Sequence, residues 1–398
     1  MLKSRLAPWP VFAEDEREAV LRVLESGRVN YWTGEECRLF ESEYATYVGR
    51  KHGIALANGT LALELALQAF DIGPGDEVVT TCWSFIASAS SAVARGAMPV
   101  LADVDPISRN ITAQTIAQVL SPRTKAIICV HLVGWPCDMD PIMDLAREHG
   151  LVVIEDCAQA HGARYKGRPV GSFGHAAAFS FCQDKIITTG GEGGLLLLDD
   201  DDVWKRAWAY KDHGKNWDKV HCNEHVAGFR FVHDSFGTNW RMTEMQAAIG
   251  RIQLQKLDTW VRQRRNNAAT LASMLGSLPG VSSPAPGGDF YHSFYKLYVT
   301  LDSEFLRVDW NRDRIVTEIA RAGMPCLAGI CPEMYREQAF TKAGLASAPL
   351  PVAQYLGERS MLLLVHPTLS AEDLRAYADV VADVLRMSMA VAVRGEPQ

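Results

Sequence analysis

A chain of 398 residues, 48% hydrophobic and 22% charged, is globular in composition, and its length suits two domains sharing one fold better than one small core. The formal net charge of -7, with no long Lys/Arg run, argues against a nucleic-acid partner while leaving room for a small anion held by local positive groups. Nine scattered cysteines without a C-x-x-C pair indicate neither a disulfide framework nor a zinc cage, and neither a signal-peptide core nor an apolar run of about twenty residues occurs, so a soluble, unprocessed, cytoplasmic protein without membrane contact or bound metal is expected.

In chain order, a helical pattern covers Glu14 to Ser26, and Gly27 stands where a left-handed residue stops a helix. A second helix is expected over Arg38 to Val48. Short apolar runs then alternate with helical patterns: Glu77 to Thr80, Val100 to Asp103, Ala126 to His131, Leu151 to Asp156, Ala176 to Phe181 and Gly194 to Leu198. That alternation predicts an α/β fold with a mostly parallel sheet covered on both faces. Arg241 to Arg265 reads as one long helix, followed by a Pro/Gly-rich shift from Pro279 to Gly288. A domain boundary near Leu257 is expected, with residues 1-256 forming an N-terminal segment plus a large domain and 257-398 a smaller α+β domain. In the latter, Tyr291 to Leu301 reads as a strand, Arg312 to Ala322 as a helix and Ala371 to Met389 as a closing helix.

Ligands of open α/β sheets sit beyond the carboxyl ends of the strands, so residues just past each run are the candidates. Asn58-Gly59-Thr60 feeds straight into the helical run LALELALQAF, and a helix N-terminus offers free N-H groups and a favourable dipole to a phosphate. A plain Ser/Thr helix cap is the simpler explanation of these residues taken alone, because hydroxyl caps at helix starts are common. Glu155 and Asp156 end an apolar strand, where a carboxylate faces either a ligand or bulk water. Lys185 follows another apolar strand and precedes the glycine-rich turn TTGGEGG. Burial disfavours an ammonium, and a neutral amine is the nucleophile that condenses with an aldehyde cofactor; a surface-loop lysine is the alternative. Gly190, Gly191, Gly193 and Gly194 serve either left-handed turns or a close approach of the backbone to a bulky ring. A phosphate cradle, an acid for a ring nitrogen and a Schiff-base lysine are the protein parts that pyridoxal 5'-phosphate requires.

The motifs NGT-x-AL, EDCAQAHGA-x-Y-x-G, FSF-x-x-x-K-x-x-TTGGEGG and GTNWRMTEMQAAIG, between Glu14 and Gln255, closely resemble the DegT/DnrJ/StrS-type sugar aminotransferases of the fold-type I pyridoxal-phosphate group. The resemblance implies a large domain whose mostly parallel sheet is sandwiched by helices, plus a smaller C-terminal α+β domain. By it, Lys185 bonds the cofactor and then serves as general acid and base, Asp156 pairs with the pyridinium nitrogen, and Gln159 hydrogen-bonds the phenolic oxygen. Phe85 matches the aromatic that stacks on the ring, with Trp83 two residues away as the position most easily confused with it. Gly59, Thr60 and Ser180 match phosphate contacts, and Asn239 matches an asparagine reaching across from a neighbouring subunit, which implies a homodimer with two shared sites.

The resemblance further implies transfer of an amino group, with L-glutamate as donor, to a nucleotide-linked keto sugar in amino-sugar biosynthesis for a polysaccharide or secondary metabolite. A free keto-cyclitol is the alternative acceptor. A sugar dehydratase of the same fold is disfavoured because Lys185 is present, and a non-catalytic sensor because the lysine, acid and phosphate set is intact. A cysteine desulfurase would need a reactive loop thiol, and Cys182 sits at a strand end where a small buried residue is expected. His161, Lys211, His213 and Arg241 read equally as substrate-side groups or structural polar residues.

Overall fold

The computed structural model describes residues 6-221 and 230-390. Cys222 and the terminal segments lie outside the described residues. The strands of the first two-thirds are β1 (His52–Leu56), β2 (Glu77–Thr81), β3 (Met98–Ala102), β4 (Thr124–Val130), β5 (Val152–Asp156), a small pair β6 (Arg164–Tyr165) and β7 (Arg168–Pro169), then β8 (Ala176–Ser180) and β9 (Gly194–Leu198). Seven of them form one sheet in the order β1-β9-β8-β5-β4-β2-β3. Only β9 runs against its neighbours; β8, β5, β4, β2 and β3 pair in parallel. The expected mostly parallel α/β sheet is therefore present. The strand missing from the sequence reading is β1, a five-residue edge whose short run HGIAL carries little periodicity.

Both faces of the sheet are buried, which is why its strands read as unbroken apolar runs. In β9, Leu195 and Leu197 point into one core and Leu196 and Leu198 into the opposite one. Fully burying a leucine contributes roughly 1.5–3 kcal/mol, so this strand alone pins the two helical layers together.

The first helix spans Glu14–Ser26 as expected, closed by Gly27 at φ 66°. The long helix differs from expectation: it runs Glu244–Leu275, and residues 241-243 precede it. Thr243 caps it by accepting from the Gln246 N–H, while Gln246 reaches back to Thr243, a reciprocal box that sets the start. No proline or glycine after Gly250 interrupts it until Gly276. Leu257 lies inside this unbroken helix and packs into the core beneath the large sheet, whereas Ala268, Leu271 and Leu275 pack into a second core. That second core belongs to a three-stranded antiparallel sheet of β10 (Val281–Ser282), β12 (Leu297–Leu301) and β13 (Ser360–Leu363), backed by helices Arg312–Arg321 and Ala371–Ser388. Leu6, from the N-terminal segment, packs there too.

The strand expected over Tyr291 to Leu301 is in fact two, β11 (Phe290–Tyr291) and β12. Between them the chain leaves the sheet: the Ser293 and Tyr295 N–H groups donate to the Gly134 and Val133 carbonyls, and Phe294 is left-handed at φ 49°. This detour carries Tyr295 and Lys296 to the large sheet's carboxyl edge. Among the described residues, no helix is long and apolar enough to cross a membrane.

Candidate active site

The parallel strands β1, β2, β5 and β8 all end at one edge, and a cavity of about 990 Å³ opens there. It is lined by Gly59 and Thr60 after β1, Phe85 after β2, Asp156 and Gln159 at the end of β5, and Ser180 and Lys185 at the end of β8. Seven of the eight residues expected in the site are thus brought together. Asn239 is not: it lies exposed on the surface, paired through its backbone with Asp212.

The phosphate-cradle geometry depends on two glycines. Because β9 is antiparallel, its first residue, Gly194, pairs with both Leu56 and Ser180 at this edge. A Cβ on Gly194 would stand 2.1 Å from the Asn58 carbonyl oxygen, so only glycine lets the turn after β1 cross over β9. Having crossed, Gly59 meets Ser180, where a Cβ would come within 2.6 Å of the serine Cβ. The helix Gly59–Ala69 then begins against the end of β8. Its cap is Asn58, whose side chain accepts from the Leu61 N–H, so the Thr60 hydroxyl is not used as the cap and is left to line the cavity. Gly190 and Gly191 are left-handed at φ 89° and 129°.

The two strand-end acids separate. Successive residues of a strand face opposite sides. Glu155 turns away from the cavity and accepts from the Gly171, Phe173 and Gly174 N–H groups at 2.7 Å each, with His131 at 3.1 Å. Burial works against its charge, but His131, Arg50 and the Gly174 N–H outweigh it and hold the carboxyl below its usual range. Glu155 is a structural hub for the loop before β8. Its oxygens, already engaged, stand within 4.8 Å of ligand-type atoms of His131 and Cys157.

Asp156 faces the cavity. One oxygen accepts from Ser88 Oγ at 2.8 Å and the other from the Ala158 N–H at 3.1 Å. Burial pushes its pKa up, against the pull of those two donors and the positive Lys185. A buried carboxylate oriented by two neutral donors fits a protonated ring nitrogen placed in the cavity. Gln159 is oriented in the same way: its Oε1 accepts from the Val133 N–H at 2.8 Å, which leaves the amide N–H₂ as a donor toward the cavity. Phe85 is 66% exposed at the cavity, whereas Trp83 is 1% exposed and donates its Nε1–H to the Tyr298 hydroxyl at 2.9 Å. The available ring face therefore belongs to Phe85. Phosphate donors, an oriented acid, an amide donor, a ring face and a lysine all suit pyridoxal 5'-phosphate.

Lys185 reaches the cavity with its Nζ 3.9 Å from the Asp184 carboxylate and 5.0 Å from the centre of the Tyr295 ring. Behind it, Trp9 donates its Nε1–H to the Lys185 carbonyl at 3.0 Å, tying the N-terminal segment to the lysine's own backbone. His161 supports the cradle from below. It sits between the Tyr44 hydroxyl at 2.6 Å and the Ser180 carbonyl at 2.8 Å, and burial lowers its pKa to about 3. Lys211 is buried 3.5 Å over the Tyr31 ring, and Arg241 pairs with Asp212 at 2.8 Å. None of these three lines the cavity, nor does His213. Cys182 does, but burial raises its thiol pKa and Glu192 stands 3.7 Å away, the opposite of an activated thiolate.

Asp184, Tyr295, Lys296 and Glu337 also line the cavity and were missed from the sequence. Asp184 carries a visible signal, a charge beside the reactive lysine. The others come from beyond Leu257, with no strand-end pattern to mark them.

The chain matches the DegT/DnrJ/EryC1/StrS aminotransferase family over residues 10–384. The solved structure of an aminotransferase from Psychrobacter cryohalolentis superposes with a TM-score of 0.94 at 52% identity, covering 96% of this chain and 99% of that one. A GDP-perosamine synthase of Caulobacter vibrioides is 37% identical over 93% of this chain and 95% of its own length. A UDP-N-acetyl-3-dehydro-alpha-D-glucosamine 3-aminotransferase of Acidithiobacillus ferrooxidans is 37% identical over 88% and 89% respectively. With the fold, the cavity and the matched span in agreement, this chain belongs to the DegT/DnrJ/EryC1/StrS aminotransferase family and is a pyridoxal 5'-phosphate-dependent aminotransferase.

Proposed function

We propose that this chain transfers an amino group from L-glutamate to a keto sugar linked to a nucleoside diphosphate, working as a homodimer in which Asn239 of each subunit completes the other's site. The observation that carries the reading is the lysine-acid pair: Lys185 and Asp156 line one cavity at the carboxyl edge of the sheet, beside a helix N-terminus with unused N–H groups. A cavity of about 990 Å³ leaves space beyond the cofactor for a large acceptor, and the relatives named for GDP- and UDP-linked sugars support that class.

When bound, pyridoxal 5'-phosphate supplies an aldehyde that takes up the donor's nitrogen and a ring that accepts electrons. In this reading Gly59, Thr60 and Ser180 hold the phosphate, and Phe85 covers a ring face. Asp156 keeps a proton on the ring nitrogen, and Gln159 donates to the phenolic oxygen. Lys185 Nζ first anchors the cofactor and then carries a proton to and from the carbon that gains or loses the amine.

Borohydride reduction of the yellow protein is expected to trap the cofactor on the peptide containing Lys185. Lys185→Ala is expected to lose turnover with glutamate and a panel of nucleotide keto sugars followed by mass spectrometry. Normal turnover of Lys185→Ala refutes the lysine's role. Amination of a free keto-cyclitol but of no nucleotide sugar refutes the acceptor.

A further inference from the structure

Among the described residues, Asp184 is the carboxylate whose ion pairs link the reactive lysine to the C-terminal third of the chain. One of its oxygens stands 3.9 Å from Lys185 Nζ. The other accepts from the Tyr295 hydroxyl and from Lys296 Nζ, the latter at 3.2 Å. Lys296 Nζ also lies 3.2 Å from the Tyr295 oxygen. Tyr295 is itself fixed by its N–H bond to the Val133 carbonyl at 2.8 Å and is 4% exposed. The carboxylate is therefore shared between two ammonium groups at the cavity, Lys185 and Lys296, and a buried phenol holds its orientation.

Other charged groups surround this pair. Asp156 at the end of β5, neutral His161 below β8 and Cys182 beyond it all feel Lys185, while Arg264 on the long helix faces Asp184 and Lys296. Burial works against the Asp184 charge, but Lys185, Lys296 and Tyr295 together lower its pKa. The carboxylate therefore stays ionised at neutral pH.

We propose that Asp184 is a positioning residue: held by Tyr295 and Lys296, it receives the Lys185 ammonium whenever that lysine is not bonded to the cofactor. The proposal rests on Lys185 being the cofactor lysine. A lysine that leaves the cofactor needs a nearby resting place, or it swings into solvent and must be recovered in every cycle. Asp184 supplies one that is half-exposed, with a side chain 52% accessible, so its attraction is screened enough to release the lysine again. Lys296 competes for the same carboxylate and weakens its hold on Lys185.

The test is amine labelling of the full-length protein carrying pyridoxamine 5'-phosphate, the form in which no lysine is bonded to the cofactor. A trace acylating reagent is applied across the pH range, and the Lys185 peptide is followed by mass spectrometry. Asp184→Asn is expected to lower the midpoint pH of Lys185 labelling below that of the wild type, because the carboxylate 3.9 Å away attracts the ammonium. Asp184→Glu is expected to return it toward the wild-type value. Lys296→Met is expected to move it upward, since a competing cation is lost. An unmoved midpoint in Asp184→Asn, or a Lys296→Met shift in the same direction as Asp184→Asn, overturns the proposal. Borohydride trapping on a different lysine instead overturns the assignment of Lys185, so the two failures are distinguishable.

Discussion

Gly59→Ala separates the effect of one close contact from the general behaviour of glycine. Gly59 is not among the left-handed glycines and opens a helix, so backbone entropy alone favours alanine by about 0.4–1 kcal/mol. The added Cβ would meet the Ser180 Cβ at 2.6 Å and its Cα at 3.1 Å. Carbon atoms attract best near 3.5–4.0 Å, so the helix start must retreat by roughly 1 Å. Overpacking of this kind costs typically about 1–3 kcal/mol, which against the entropic gain leaves a net loss of up to about 2.6 kcal/mol, centred on about 1.3 kcal/mol, in urea unfolding of the cofactor-free chain. The same retreat carries the first N–H groups away from the phosphate, and about 1.4 kcal/mol there corresponds to a tenfold weaker Kd for pyridoxal 5'-phosphate in an absorbance titration. Ser180→Gly removes the atom that is struck, so the double variant should be more stable than the two single losses add up to. A Gly59→Ala protein as stable as wild type, with unchanged cofactor affinity, refutes the contact argument.

Phe85→Leu is expected to leave unfolding within about 0.5 kcal/mol, since its ring is 66% exposed, yet to weaken cofactor binding. Trp83→Leu, at 1% exposure, is expected to cost more than about 2 kcal/mol; the reverse pattern would show that the ring face was misassigned. Trp9→Phe keeps the ring against Trp260 but deletes the 3.0 Å bond to the Lys185 carbonyl, for a loss of about 0.5–1.5 kcal/mol read by urea unfolding. For His161, burial lowers the folded pKa to about 3, so below the ordinary value of 6.5 the unfolded chain binds the proton and the fold does not. Its contribution therefore falls as pH drops from 6.5 toward 3, by at most about 1.4 kcal/mol per pH unit. Glu41, raised by burial to about 7, acts in the opposite sense between 7 and its ordinary 4.5. The discriminating measurement is thus the difference between wild type and His161→Phe in urea midpoint at pH 7.5 and 5.5. An identical pH dependence in both proteins would contradict the buried neutral imidazole.

The α/β class, and Gly59, Thr60, Asp156 and Lys185 as residues of the cavity, were legible in the sequence from local order, whereas Phe85, Gln159 and Ser180 were expected there from the family resemblance. Buried parallel strands are continuous apolar runs, and the residues that serve a ligand follow those strands directly, as Asp156 follows VVIE and Ser180 follows AAAF. Chain order alone could not say which of two neighbours turns inward. Glu155 and Asp156 differ only in the phase of one strand, and Phe85 and Trp83 only in where the chain bends after β2. Tertiary packing also decided that Asn58 caps the helix in place of Thr60, and that Gly59 serves a contact with Ser180 that lies 121 residues further along the chain. Asp184, Tyr295 and Lys296 show the limit most clearly. Their shared carboxylate exists because a detour between β11 and β12 brings Tyr295 and Lys296 to the sheet's edge beside Asp184, and apart from the charge next to Lys185 nothing in the local pattern records it. The sequence by itself determined the chemistry available beyond the strands; only the folded chain decided which charged groups surround Lys185, because electrostatics depends on distance in space and not along the backbone.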